Sequence, residues 1–100
     1  MIISQMLDEP VDAHTLRRIL RACLQHGVLR YSSHARKRMG PSQRDVSEQD
    51  VENCLWAGRM GNVDFEKGTW RYTVWTPRLS VVVAIDTETS AIVVTVIRTP

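Results

Sequence analysis

Apolar residues recur along the first quarter of the chain at helical spacing. Leu16, Ile19, Leu20, Cys23 and Leu24 follow the i, i+3, i+4, i+7, i+8 pattern, which puts them on one stripe of a helix. Asp12 is suited to cap its start and Gly27 to stop it. The pattern therefore predicts a helix from Ala13 to His26, with Arg17, Arg18 and Arg21 off the stripe and facing water. Val28 to Tyr31 reads as a short extended stretch. Ser32 or Ser33 then opens a second helix through Met39, which Gly40-Pro41 must end or bend. Ser47 and Asp50 suggest a capping box for a third helix from Glu48 to Ala57, carrying Val51, Cys54 and Leu55 inward and stopped at Gly58.

Beyond Gly58 the period falls from helical to alternating. Arg59 to Glu66 and Thr69 to Thr76 predict two strands around a tight Lys67-Gly68 turn; in the second, Trp70, Tyr72 and Val74 lie opposite Arg71, Thr73 and Trp75. Ser80 to Ile85 is apolar on both faces, as in a central strand, and Asp86 to Ser90 turns the chain into a last strand from Ala91 to Arg98. Connections of hairpin length predict an α+β fold, with helices packed on one face of a three- or four-stranded antiparallel meander.

Composition narrows this to one domain. One hundred residues with 43% hydrophobic content bury a single core. No apolar run approaches the ~20 residues of a membrane span. Met1 to Gln5 lacks the charged and apolar regions of a leader, so a cytoplasmic location is expected. Cys23 and Cys54 fall on apolar helix positions and read as core thiols. His14, His26 and His34 lack metal-ligand spacing, and neither metal nor cofactor is expected. His14 reads as a solvated first-turn residue and His26 as a companion of a helix C-terminus. Gly58-Arg59-Met60-Gly61 lacks a phosphate-loop pattern, and Trp56, Trp70 and Trp75 read as core or edge anchors.

Charge is unevenly spread. The window from Ala13 to Arg44 holds eight Lys/Arg and no Asp or Glu, Met1 to Asp12 holds three acids and no base, and Asp45 to Pro100 holds eight acids against five bases. The net +2 conceals this polarity, which points either to a polyanionic partner such as nucleic acid or to a solvated helix face.

A short extended segment, Ser-x-His-Ala-x-x-Arg-Met on a helix, a capped further helix, and strands ending in Thr-Val-Ile-Arg together carry a family resemblance. The chain resembles small bacterial proteins of unknown function marked by a His-Ala-x-x-Arg-Met signature, which are similar in architecture to the RelE and BrnT type toxins of toxin-antitoxin pairs. The residues that carry it are Ser32, His34, Ala35, Arg38, Met39, Tyr72, Thr95 and Arg98. It implies a RelE-like core over residues 31–98, with residues 1–30 as an N-terminal helical extension that offers a partner surface. Gly40 to Ser47 departs from the Arg-Gly-Ile-Ser turn that usually follows the signature helix.

RelE-like toxins are RNA endonucleases, so the resemblance implies RNA as ligand and a cognate antitoxin-like protein as partner. Metal-independent RNA cleavage needs a base for the 2′-hydroxyl, cations for the phosphorus oxygens and an acid for the leaving oxygen. His34 suits the base or acid, because an unperturbed imidazole titrates near neutrality. Arg38, one turn along, suits a bidentate phosphate contact. Arg98 supplies a further cation and Tyr72 a proton donor or stacking surface. Arg17, Arg18, Arg21, Arg36, Lys37 and Arg71 are the candidate nucleic-acid contacts. Alternation sends Arg71 and Tyr72 to opposite faces, so one site takes at most one of them. A structural His34 would instead bond a backbone carbonyl or a strand side chain. Two functions are carried forward: a toxin-like RNA endonuclease, and a non-enzymatic basic module that binds nucleic acid or an acidic protein.

Overall fold

The computed structural model describes residues 7–40 and 45–99. Met1 to Gln5, read above for a leader, and Pro41 to Arg44, at the exit of the second helix, lie outside the described residues. Helix α1 spans Ala13–Gln25; the Asp12 carboxylate accepts from Thr15 N at 2.8 Å and His26 forms the C-cap. Strand β1 spans Val28–Tyr31 and helix α2 spans Ser33–Met39, capped by Ser32 and closed at Gly40. Helix α3 spans Glu48–Ala57 behind a complete capping box of Ser47 and Asp50. Strands β2 Arg59–Glu66, β3 Thr69–Trp75, β4 Leu79–Thr87 and β5 Ser90–Arg98 follow. Lys67 (φ 50°) and Gly68 (φ 81°) both take left-handed backbone, as a two-residue hairpin turn requires.

β2 to β5 form the antiparallel meander, but the sheet has five strands in the order β1-β5-β4-β3-β2 and is mixed. β1 lies parallel to β5, pairing Val28 with Ser90 and Tyr31 with Val93. A sheet of three or four purely antiparallel strands is thus corrected. β1 has only four residues, and its partner lies at the other end of the chain, so no local turn announces it.

Helices α1, α2 and α3 lie on one face of the sheet. Leu16, Ile19, Leu20 and Cys23 of α1, Ala35 and Met39 of α2, and Val51, Cys54 and Leu55 of α3 close over Tyr72, Val74, Val81, Val83, Ala91, Val93 and Val96. Ile19 and Leu20 are fully buried, so α1 is a wall of the core rather than an appendage to it. Both thiols are buried, which pushes Cys23 and Cys54 up to about 11, and neither is a nucleophile at neutral pH.

Two local features set the frame. At Gly27 an added Cβ would stand 2.0 Å from the Thr89 carbonyl oxygen, the same oxygen that accepts from Val28 N at 2.9 Å. Gly27→Ala must therefore push β1 off β5, and urea melts are expected to find a loss of about 1 to 3 kcal/mol. An unchanged midpoint would contradict this packing. In β5 the register slips: Val82 pairs with Thr95 but Val83 with Val93, leaving Val94 as the extra residue of a bulge. Val93 and Val96 both reach the core, and Arg98, opposite Leu79, follows Val96 onto the helix side. The bulge breaks the alternation of β5, so Arg98 shares a face with Val96 but not with Val94.

Candidate functional site

Ser32 fixes the start of α2. Its hydroxyl accepts from Ala35 N at 2.9 Å and donates to Val94 O at 2.8 Å, while its N–H bonds Val93 O at 2.9 Å. Helix and sheet are thus joined by a serine, the task a structural His34 would otherwise perform. Ala35 and Met39, one turn apart, point into the core, so His34 and Arg38 run alongside that stripe. His34 is exposed, and its ring makes no hydrogen bond or ion pair with the described residues. Arg38 is half-buried; its Nε is buried without a partner, and its guanidinium bonds no described residue.

Arg36 leans the other way, its guanidinium 4.5 Å from the Tyr31 ring centre and ion-paired to Glu48. Burial pushes the Tyr31 hydroxyl up to about 12, helped by Glu48 and Glu52 and opposed by Arg36. Lys37 is exposed.

Arg98 lies toward the Arg38 end of α2. Met39 O accepts from Val46 N, Gly40 O accepts from Asp45 N, and Arg98 Nη1 donates to Asp45 O at 3.4 Å. Asp50 sits below the usual carboxylate range, because it accepts from Ser47 and, to a lesser degree, because Arg98 is near. Between α3 and the β3–β4 turn opens a cleft of about 430 Å³, lined by Asp45, Asp50, Asn53, Thr76, Arg78 and Arg98 among others. Sequence reasoning passed over Arg78, since Pro77-Arg78 carries only a turn signal.

Tyr72 is elsewhere. The register row Tyr31, Val93, Val83, Tyr72 crosses four strands, so about 14 Å separates the two tyrosine backbones. Tyr72 is 1% exposed; its hydroxyl donates to the Glu9 carboxylate at 2.7 Å and accepts from Val11 N at 3.1 Å. Burial first, and Glu9 with it, pushes Tyr72 up to about 12. Tyr72→Phe is expected to cost about 1 to 2 kcal/mol through these lost bonds. Thermal melts check this, and a variant as stable as the parent would show the bonds to be idle. Arg71 points to the uncovered face of the sheet and pairs with Glu66 at 3.5 Å, remote from α2.

The basic window does not survive as a free surface. Arg17 donates to Trp56 O at 2.8 Å and Gly58 O at 2.6 Å, and Arg21 donates to Trp56 O and stacks 4.6 Å from the Trp56 ring centre. α3 has no base in its own last turn, so these two cations from α1 satisfy its terminal carbonyls. Neither simply faces water, which corrects the reading of that helix face. Arg18 pairs with Glu88 at 3.9 Å and Arg30 with Asp86 at 3.3 Å. Such exposed pairs are worth only about 0 to 1 kcal/mol, so Arg18, Arg30 and Arg36 remain exchangeable for a phosphate. Arg44 of the window lies outside the described residues.

Among the described residues no group of three or more His, Cys, Asp or Glu stands where it could hold a metal ion, and no helix is long and apolar enough to cross a membrane. Neither a curated protein nor a solved structure matches this chain. The profile of a domain of unknown function, DUF4258, does match, over residues 31–98, from the end of β1 through β5. With about two thirds of its length covered, and with α2 and the whole meander inside the match, the chain belongs to the DUF4258 family.

Proposed function

We propose that this protein is a toxin-like RNA endonuclease that cleaves its substrate without a metal ion, with α2 as the reactive helix. The observation that carries the reading is the pair His34 and Arg38: side by side on one face, with neither ring nor guanidinium committed to a described residue. A histidine that holds nothing together is free to exchange a proton. His34 takes the proton of a 2′-hydroxyl, whose oxygen then attacks the adjacent phosphorus. Arg38 binds the nonbridging oxygens as charge grows on them. The 5′-oxygen leaves with a proton from water, and the product end is a 2′,3′-cyclic phosphate. Arg98, beyond the Arg38 end of α2, and Lys37 add to the positive field, while Arg36 and Arg18 contact flanking phosphates by exchanging their carboxylate partners. Tyr72, held by Glu9 and Val11, is left out of this scheme.

A second reading is favoured by one specific observation. No second proton-transfer group bonds His34 among the described residues, and the four candidates for chemistry do not converge, since Tyr72 lies three strands from Tyr31. On that reading α2 binds nucleic acid or an acidic protein and cleaves nothing. Incubating the purified protein with single-stranded RNA in excess chelator separates the two. Fragments ending in cyclic phosphate are expected. Intact RNA, bound with a steep salt dependence, would sink the endonuclease and leave the binding module. Growth arrest on induction, relieved by a co-encoded protein, is the corresponding expectation in cells.

A further inference from the structure

Arginines in this fold are mostly occupied. Those of α1, β1 and β3, with Arg36, meet carboxylates or carbonyls, Arg59 lies 5.9 Å from the Trp75 ring centre, and Arg98 bonds Asp45 O. Among the described residues, Arg38 and Arg78 are the two whose guanidinium groups have no such partner. Arg38 belongs to the site already proposed. Arg78 does not.

The backbone of Arg78 is nonetheless held firmly. Its N–H donates to Thr76 Oγ1 at 3.3 Å, its carbonyl accepts from Thr99 N at 3.0 Å, and Thr76 and Leu79 bond each other across the turn at 2.8 and 3.3 Å. An exposed cation on a fixed backbone, bonded to no described carboxylate, is open to an anion. Leu79 pairs with Arg98 across the β4–β5 ladder, so Arg78, in the turn just before β4, and Arg98, on β5, line the same cleft. Of the two carboxylates that line the cleft, Asp50 is bound at its own helix start, accepting from Ser47 N at 3.0 Å, and Asp45 holds Arg98 through its backbone carbonyl. Asn53, on the α3 wall, accepts from Gln49 at 2.9 Å through its oxygen, which leaves its amide N–H groups to donate.

We propose that the cleft between α3 and the β3–β4 turn is a phosphate subsite for a single RNA strand, with Arg78 as its principal cation, Arg98 as the second and Asn53 as a neutral donor. This rests on RNA being the ligand of α2, and it extends the contact surface to the end of the sheet. Arg98 stands between the two, near the Arg38 end of α2 and inside the cleft. A strand whose scissile phosphate lies at His34 and Arg38 then places a later phosphate at Arg78. A guanidinium and an amide both donate to phosphate oxygens and read no base, so the subsite sets register rather than sequence.

The test uses a fluorescent single-stranded RNA whose 2′-hydroxyls are methylated, so that it binds without being cut. Anisotropy titrations over a salt series compare the parent protein with Arg78→Ala, Arg78→Lys and Lys67→Gln, the last removing an exposed charge at the far hairpin. Arg78→Ala is expected to weaken binding roughly tenfold at low salt and to flatten the salt slope by about 0.7, the value for one phosphate of a single strand. Arg78→Lys should keep the slope while losing part of the affinity, and Lys67→Gln should change neither. The subsite is overturned if Arg78→Ala binds like the parent, if Lys67→Gln falls equally, or if the parent does not bind. Unmethylated RNA separates the two proposals. Cleavage with Arg78-independent binding removes the subsite and keeps the endonuclease, whereas Arg78-dependent binding without cleavage does the reverse.

Discussion

Replacing His34 by alanine is expected to lower chelator-resistant RNA cleavage by about a hundredfold or more, the scale of a positioned general base, while leaving the melting temperature nearly unchanged. The second half follows from exposure. His34 bonds no described residue, and alanine is the better helix former, so nothing structural is lost. On the proposed scheme Arg38→Ala should be equally inactive, because the guanidinium that binds the nonbridging oxygens as charge develops is gone. The double variant should be little worse than either single one, since residues that act as a unit do not add. Melts and RNA assays on the same four proteins decide the matter. An unfolded His34→Ala protein, or one that cuts RNA at the parent rate, removes α2 from the chemistry.

Ile19→Ala is expected to cost about 2 to 5 kcal/mol, a large part of the stability of a domain this small. Ile19 is 0% exposed on α1, and its neighbours Leu16, Leu20 and Cys23 share the core with α2, α3 and the sheet. The family profile begins only at residue 31, which invites the idea that the first thirty residues can be removed. The packing argues otherwise. A chain begun at Val28 loses four core side chains, together with the arginines that satisfy the end of α3. Urea unfolding of Ile19→Ala and near-ultraviolet circular dichroism of the shortened chain check this. A midpoint unmoved by Ile19→Ala, or a native spectrum from the shortened chain, would show α1 to be an accessory.

Where the signals are local, the sequence is a good guide to this fold. Asp12 and Ser47 cap the helices they were read to cap, Ser32 is the cap of the two serines the sequence offered, and Lys67-Gly68 turns the hairpin, because each signal acts within a few residues. Where the partner is distant, pattern fails. Four residues of β1 carry no mark of the strand they join 62 positions later, and nothing in Val93-Val94-Thr95 announces which residue the bulge will skip. The candidate site divides the same way. The shared face of His34 and Arg38 follows from helical spacing, but the fate of the cations does not. Arg18, Arg30 and Arg36 find Glu88, Asp86 and Glu48 outside that window, so a stretch that is purely basic in sequence is largely paired in space. Arg78 was missed for the converse reason: it lies in the acidic half, and only the geometry reveals that it pairs with no acid among the described residues.

The parallel pairing of β1 with β5 also bears on how the molecule comes into being on the ribosome. Translation delivers α1 and β1 first, but the edge against which β1 must lie exists only once Ser90 to Arg98 has emerged and joined β4. Until then the apolar stripe of α1 has no complete sheet to close on, and the early chain must wait with Leu16, Ile19 and Leu20 uncovered. Such pairing between distant segments slows folding and prolongs exposure to aggregation, so nascent chains of this protein are expected to engage chaperones until the last strand is out.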